Sequence, residues 1–344
     1  MTATPDLTIA IVPRESFSRT RHSLEQLLPE LDPGTRVVCV DGGSPTPVRR
    51  YLEATARRHD LTLVRADFFL SPNQARNLAV PLVDTDYVLF VDYETELRGD
   101  AVDRLLACAR ATDAWIVGPA YLQRLGHRTS VHMAGGDGRL VDDGDGRRLH
   151  ETHRFTGAAP DALANMEAAP TEQVEFHCML VRRDVFDVVG PLDENLFSVL
   201  EHTDLCLAVR ELGGSVWVEP HAVMSYAPPP WPSAADRAYW LVRWSDEWTR
   251  ATIEHFAEKW DLSDSDPSSD ALLVWGAAHR RFCYRPYLSV LSRVLGSRRP
   301  LLYDWVDPRA QRVALRRHDQ RVAHGGPPRV VHAASWAASR APRG

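Results

Sequence analysis

Acidic residues follow two apolar stretches of strand length. Residues 36–40 are followed by Asp41, and residues 87–91 are followed by Asp92 and Glu94. Open α/β sheets bind ligands beyond the carboxyl ends of their strands, so all three carboxylates are candidates for one ligand site. Two acids one residue apart can share a hard divalent cation that also binds a diphosphate. The alternative interpretation is a solvated turn before a helix with acids in its first turn.

Two common phosphate-binding motifs are missing from the sequence. After the apolar residues 7–12 the turn reads Pro13-Arg14-Glu15-Ser16, without the glycines that let a dinucleotide-binding fold approach a pyrophosphate. Lys259 is the sole lysine and is followed by Trp260, so the chain has no Gly-Lys-Ser/Thr phosphate loop. These observations exclude a P-loop NTPase and argue against an NAD-dependent dehydrogenase.

The elements that must position the acids alternate along the first part of the chain. Ser71 and Gln74 form a capping-box pattern, which predicts the start of a helix. Apolar stretches alternating with helical segments predict a parallel sheet with helices on both faces, an α/β fold. The stretches are residues 7–12, 36–40, 61–65 and 87–91.

The remainder of the chain divides by composition. Residues 132–172 lack periodicity and predict a long, partly mobile loop. A proline-rich run after residue 226 predicts a boundary between a domain at residues 5–226 and a helical extension at residues 227–323. Trp240, Trp244 and Trp248 are spaced by four, which predicts one helix with an aromatic stripe, interpreted as a packing face. Residues 324–344 are predicted to be disordered.

Composition limits the classes of partner. The 344 residues are 44% hydrophobic and carry a net charge of −6, which argues against nucleic-acid binding. The five cysteines are widely spaced, so neither a disulfide framework nor a zinc ribbon is expected. No apolar run approaches the roughly 18 residues of a transmembrane helix, and the N-terminus lacks a secretory pattern. We therefore expect a cytoplasmic protein.

Taken in order, these segments resemble the family 2 glycosyltransferases of bacteria, which have the GT-A fold. The resemblance spans roughly residues 7–226, and an ordered set is more specific than any one motif. The matching segments are 9–13 (IAIVP), 37–44 (VVCVDGGS), 75–78 (ARNL), 87–97 (YVLFVDYETEL), 117–119 (VGP), 178–194 (CMLVRRDVFDVVGPLDE), 201–210 (EHTDLCLAVR) and 219–223 (EPHAV).

The resemblance implies a nucleotide-sugar site. It assigns Asp41 to the donor nucleoside, with Pro13 and Glu15 lining the base pocket, and it places Arg76 near the nucleotide. Asp92 and Glu94 take the place of the Asp-x-Asp site that holds Mn²⁺ or Mg²⁺ against the diphosphate. Since the family usually has Asp where this chain has Glu94, Asp92 is expected to be the more secure ligand.

The resemblance also implies a general base. Transfer to a hydroxyl requires one because a hydroxyl is a poor nucleophile until its proton is removed. Glu201 and His202 occupy the family's Glu-Asp pair, so Glu201 is assigned as the base and Asp204 is the second candidate. A capping box from Ser198 to Glu201 is the structural alternative.

Two further positions concern substrate and metal. His177 and His202 are candidate acceptor contacts. Tyr226 stands where many members of the family have a metal-ligating histidine, so the third protein ligand is unassigned. A buried histidine with a backbone partner is the alternative for His177.

The resulting expectation is an inverting, metal-dependent hexosyltransferase that uses a nucleotide-diphosphate sugar. The acceptor class is a glycan, a lipid-linked glycan or a natural product, and the extension offers a surface for a homodimer. Two alternatives stay open at this point. One is a non-catalytic nucleotide-sugar-binding protein of the same fold, and the other is a sugar-nucleotide nucleotidylyltransferase.

Overall fold

The N-terminal half of the chain forms a parallel sheet, as the sequence predicts. The computed structural model describes residues 6–338 except 33, 98, 126, 143, 145, 227–231, 264–266 and 296–298. The four parallel strands lie in the order β4-β1-β2-β3. The elements in chain order are β1 (Leu7–Val12), α1 (Thr20–Leu27), β2 (Arg36–Gly42), α2 (Thr46–His59), β3 (Thr62–Ala66), α3 (Pro72–Ala79) and β4 (Tyr87–Asp92).

The second half extends the sheet with mixed strand directions. Strand β11 runs antiparallel between β4 and β6, and β12 continues the sheet parallel to β6. The elements are β5 (Thr95–Leu97), α4 (Ala101–Thr112), β6 (Ile116–Leu125), β7 (Arg128–Met133), β8 (Gly136–Asp142), β9 (Arg147–His153), β10 (Ala169–Thr171), β11 (Cys178–Arg182), α5 (Val185–Val188), α6 (Glu201–Glu211) and β12 (Val216–Tyr226).

The predicted loop at residues 132–172 is wrong. Strand β7 pairs with β6, β8 and β9 form a separate hairpin, and β10 pairs with β12. These strands are rich in Gly, Asp and His, so their sequences lack the hydrophobic alternation that predicts a strand. They form because strand pairing supplies hydrogen-bond partners to their backbone N–H and C=O groups.

Helices dominate the C-terminal part. They are α7 (Arg237–Arg243), α8 (Asp246–Trp260), α9 (Pro267–Leu295), α10 (Arg299–His324) and α11 (Ser335–Ala338), with strand β13 (Arg329–His332) before the last. The tryptophan stripe does not lie on one helix, because Ser245 caps the N-terminus of α8 through a hydrogen bond from the Trp248 N–H. Trp240, Trp244 and Trp248 are nevertheless buried, in agreement with the predicted packing role.

The end of the chain departs from the expected disorder. Strand β13 pairs antiparallel with β3 and forms one edge of the sheet, and the Ser335 N–H donates to Asp60 at 2.8 Å. Residues 339–344 lie outside the described part of the chain. Sequence analysis missed this pairing because the two strands are more than 260 positions apart.

The extension packs into the same core as the sheet. Tyr239, Val242, Trp248 and Leu315 belong to the hydrophobic cluster that includes strands β1 and β4. The predicted boundary after residue 226 stays a prediction, since residues 227–231 lie outside the described part. Within the described residues, no helix combines the length and apolar character that crossing a lipid bilayer requires.

Candidate functional site

Asp92 is the centre of a buried charged site at the carboxyl end of β4. It lies in register with Val12 of β1. Arg76 Nη2 lies 3.2 Å from its Oδ1, and Arg14 Nη1 lies 3.3 Å from its Oδ2. Burial raises the pKa of Asp92, but His177, Arg14 and Arg76 together lower it to about 2. Asp92 is therefore ionised at neutral pH, and both of its oxygens face cations.

Arg76 lies on helix α3 and reaches Asp92 from there. The predicted capping box forms, with the Ser71 hydroxyl accepting from the Gln74 N–H and the Gln74 side chain accepting from the Ser71 N–H. The Arg76 guanidinium carbon lies 3.8 Å from the ring centroid of Phe176. Burial lowers the pKa of Arg76 to about 10 although Asp92 and Glu201 act in the opposite direction. Arg76 remains a cation at neutral pH.

Glu94 is buried close to other acids. Its Oε2 accepts a 3.3 Å hydrogen bond from the Ser16 N–H, whereas its Oε1 is buried without a hydrogen-bond partner. Burial raises the pKa of Glu94 well above its usual range, and Glu15 and Asp92 add to the effect. A buried carboxylate oxygen without a partner is a place where a cation would be stabilised.

Asp41 lies two strands away from Asp92, on β2, with β1 between them. Its Oδ1 accepts from the Ser44 N–H at 2.9 Å, and its Oδ2 pairs with Arg65. Burial raises the pKa of Asp41 despite Arg65. Pro13 follows β1 and lies 3.2 Å from where a side chain on Gly42 would begin, so the turns after β1 and β2 are in contact.

Glu201 begins α6, and the capping-box alternative is not realised. Leu200 is the N-cap residue, with φ of 66°, and the Ser198 hydroxyl is buried without a partner. Glu201 Oε1 instead lies 3.4 Å from Arg243 Nη2. Burial raises the pKa of Glu201, but Arg243, Arg14 and Arg76 lower it to about 2.

Arg243 is a site residue that sequence analysis missed. It lies on α7 of the extension, is fully buried, and donates to the Ser198 carbonyl at 2.9 Å. Its Nε and Nη1 are buried without hydrogen-bond partners. We call Arg14, Arg76, Arg243, Asp92, Glu94 and Glu201 the charged cluster.

The second base candidate, Asp204, points elsewhere. Its Oδ1 lies 2.8 Å from Lys259 Nζ and accepts a 2.9 Å hydrogen bond from the indole N–H of Trp260. Asp204 on α6 thus contacts α8. His202 Nε2 lies 3.6 Å from Glu151 Oε1 on β9. The structure therefore does not bring Asp204 or His202 into the charged cluster.

His177 does contact the charged cluster. Its Nδ1 lies 3.2 Å from Asp92 Oδ2, and its ring stacks on Tyr226 with centroids 4.8 Å apart. Burial lowers the pKa of His177, and Arg14 adds to this, while Asp92 and Glu175 oppose it. Tyr226, at the position expected for a third metal ligand, supports this ring instead.

The two carboxylates differ in how well they fit a hard cation. Oxygen ligands suit Mg²⁺ and Mn²⁺. Glu94 fits because its Oε1 is buried and unpartnered, whereas both oxygens of Asp92 already face arginine or histidine. Which of Asp92 and Glu94 is the more secure metal ligand stays a prediction.

The fold places the chain in a known class. GalNAc-T7, solved with UDP, GalNAc and Mn²⁺, matches 88% of this chain with 15% identity and a TM-score of 0.53, and this chain spans 59% of the GalNAc-T7 chain. The mannosyltransferase PcManGT from Pyrobaculum calidifontis, in complex with GDP-Man and Mn²⁺, matches 94% of this chain and 86% of its own, with 13% identity and a TM-score of 0.50. No family model and no curated protein matches the sequence. The chain therefore has the GT-A fold of these glycosyltransferases.

Proposed function

We propose that the chain is a glycosyltransferase of the family 2 type, bacterial in origin, that transfers a hexose from a nucleotide-diphosphate sugar to an acceptor hydroxyl with inversion. The observation that supports this proposal is the charged cluster at the carboxyl ends of β1 and β4. There, buried arginines from the turn after β1, from α3 and from α7 surround carboxylates. In a GT-A fold this edge of the sheet is where a ligand binds.

The arginines are suited to the departing diphosphate. Arg243 Nε and Nη1 are buried without acceptors, and Arg14 and Arg76 face Asp92. Fixed positive charge in a site shielded from water stabilises negative charge that develops on a leaving group. Asp41, Pro13 and Glu15 would hold the nucleoside. Glu94, with Asp92, would hold Mn²⁺ or Mg²⁺, which when bound supplies further positive charge against the diphosphate.

Glu201 would accept the proton of the acceptor hydroxyl. With a pKa of about 2 it is ionised but a weak base in this structure. The groups that lower its pKa are Arg243, Arg14 and Arg76, and these are the groups proposed to bind the diphosphate. Donor binding would neutralise their charge, so Glu201 becomes a stronger base when the donor is present.

One observation favours a second candidate, a nucleotide-sugar-binding protein without transferase activity. Asp92 is fully buried and Glu201 is 1% exposed, and both are engaged by arginine. A site that has lost its chemistry could keep such ion pairs. The remaining features of the proposal, namely the acceptor, the cytoplasmic location and the dimer, rest on the sequence.

Donor hydrolysis separates the two candidates. The chain is first screened by thermal shift with nucleoside diphosphates and nucleotide sugars, with and without Mn²⁺, since a ligand at 100 times its Kd stabilises by about 2.7 kcal/mol. Slow release of free sugar from the selected donor supports the transferase, and NMR of the product anomer tests inversion. Binding without any hydrolysis or transfer supports the binding protein. Absence of any donor shift contradicts both.

A further inference from the structure

A second group of titratable side chains lies beside the charged cluster. Its centre is formed by His132 of β7 with Glu175 and His177, which precede β11. Glu175 Oε2 lies 3.0 Å from His132 Nε2 and 3.9 Å from His177 Nε2. His153 of β9 approaches the other oxygen of Glu175 at 4.0 Å. Only His177 of these was expected at a functional site.

We propose that His132, Glu175 and His177 bind a borderline transition-metal ion of the Zn²⁺ type, at a site separate from the hard-cation site at Glu94. The three ligand atoms all lie within 4.8 Å of one another. Tetrahedral zinc with ligands at about 2.0–2.1 Å requires separations of about 3.3 Å, so small side-chain adjustments are sufficient. Imidazole ligands favour Zn²⁺ over Mg²⁺ and Mn²⁺, and two histidines with one glutamate form a known zinc ligand set.

The surroundings of Glu175 support a bound ion. Glu175 Oε2 is buried, and the group that lies nearest to it is the imidazole of His132, whose Nε2 is 3.0 Å away. A buried carboxylate that faces imidazole nitrogens is stabilised when a cation binds between them. The three ligand atoms are near enough to one another to share one ion.

His177 also has the outer partner that a metal-bound histidine usually has. Its Nε2 faces Glu175 while its Nδ1 lies 3.2 Å from Asp92 Oδ2. A carboxylate on the far nitrogen fixes the tautomer and the ring orientation of a metal ligand. The ion would therefore join β7 to the segment before β11 and hold His177 against Asp92, whether or not a donor is bound.

The test is a titration of the metal-free 344-residue chain with Zn²⁺. A parallel titration uses Co²⁺, whose visible absorption reports low-coordinate geometry. We expect one equivalent to bind per chain. His132→Ala and Glu175→Gln should each weaken Zn²⁺ binding by more than about 100-fold, beyond the loss typical of an outer-shell partner. His132 is only partly buried, so its variant should fold, and circular dichroism checks this.

Two variants serve as controls. His150→Ala removes an exposed histidine from β9, the strand that carries His153, and should leave Zn²⁺ affinity unchanged. Glu94→Gln should also leave it unchanged, which separates this site from the proposed donor metal. The proposal is overturned if the wild type does not bind Zn²⁺, or if His132→Ala leaves Zn²⁺ affinity unchanged, or if Glu94→Gln abolishes binding. None of these readouts depends on sugar transfer.

Discussion

At the residue scale, the charged cluster contains three arginines and three carboxylates, and Glu94 is the carboxylate that forms no ion pair with an arginine of the cluster. Arg14 and Arg76 hold Asp92, and Arg243 holds Glu201, whereas Glu94 Oε1 has no partner. An unpaired buried carboxylate destabilises the fold at neutral pH. Buried carboxylates with a strongly shifted pKa are typical of ligand-binding and catalytic sites.

We predict that Glu94→Gln makes the chain more stable at pH 8. The folded pKa of Glu94 is raised, so its protonated form is favoured and stability is lost as the pH rises above about 4.5 through the folded pKa. Gln stays neutral, and because a buried polar group without a partner costs about 1–3 kcal/mol, the gain should be about 1 kcal/mol or more at pH 8 and smaller at pH 5. Urea unfolding at both pH values measures it.

The same variant tests the metal site. Glu94→Gln should lose the Mn²⁺-dependent part of the thermal shift with nucleoside diphosphate. Glu211→Gln, an exposed change on α6, should alter neither stability nor metal dependence. A lower stability of Glu94→Gln at pH 8 would contradict the strained-carboxylate interpretation.

A second residue-scale prediction concerns Glu201→Gln. Gln cannot accept the acceptor proton, so transfer should fall by about 10²- to 10⁴-fold while donor affinity stays within a few-fold. Removal of one partner of a buried pair leaves Arg243 without a counter-charge, so the free energy of unfolding should fall by about 3 kcal/mol. Transfer is therefore assayed well below the melting temperature. Normal transfer would remove the base assignment, and Glu211→Gln is again the control.

At the element scale, the start of each helix determines which side chain reaches the site. Ser71 caps α3, which carries Arg76, and Ser245 caps α8, which follows the helix that carries Arg243. Both hydroxyls accept from the N–H three residues later, at 3.3 and 3.2 Å. The two caps therefore share the serine hydroxyl bond, although only Ser71 also has the reciprocal bond to the Gln74 side chain.

We predict that Ser71→Ala and Ser245→Ala each lower stability by about 1 kcal/mol. Only Ser71→Ala should also weaken nucleoside-diphosphate binding, because Arg76 lies in the second turn of α3 and contacts Asp92 directly. Melting temperature and donor Kd are measured for both variants. Equal losses of donor affinity would show that the caps act through global stability alone.

Local sequence signals predicted some of these elements and not others. The strands β1 to β4 and the cap at Ser71 follow from apolar runs and capping chemistry, which act over a few residues. Strands β7 to β10 carry polar residues, and β13 depends on pairing with the distant β3. Arg243 has no local signal at all, because the packing of α7 against Ser198 and Glu201 determines its position.

At the scale of the whole molecule, α9 and α10 expose apolar side chains. Val274 is 70% and Trp305 is 59% exposed, and Trp305 and Val313 border a cleft of about 520 Å³ between α7 and α10. Exposed apolar patches mark interaction surfaces. The homodimer expected from the sequence stays a prediction, and this face is where we expect it.

We predict that Trp305→Glu reduces self-association. A charge in a buried apolar contact is unfavourable, so the molar mass by light scattering should fall from a dimer to a monomer at the same concentration. Asp304→Ala, on the neighbouring residue, should not change it. If the wild type is monomeric at all accessible concentrations, the dimer prediction is wrong.

The last prediction is that residues 1–238 do not fold without the extension. Tyr239, Val242 and Trp244 are fully buried, and the first two pack in the core of the sheet. Full burial of a large apolar side chain contributes about 1.5–3 kcal/mol. Loss of these three removes about 5–9 kcal/mol, comparable with the total stability of about 5–15 kcal/mol of a typical protein.

A shorter truncation provides the matched comparison. Of the described elements, the chain 1–326 lacks β13, which forms one edge of the sheet, and α11. It should therefore stay soluble with a lowered melting temperature. The chain 1–238 should aggregate or lose its near-ultraviolet circular dichroism, because Arg243 and the apolar face of α7 are removed together. If 1–238 instead is soluble and binds nucleoside diphosphate normally, the charged cluster functions without Arg243. The extension would then serve the acceptor alone.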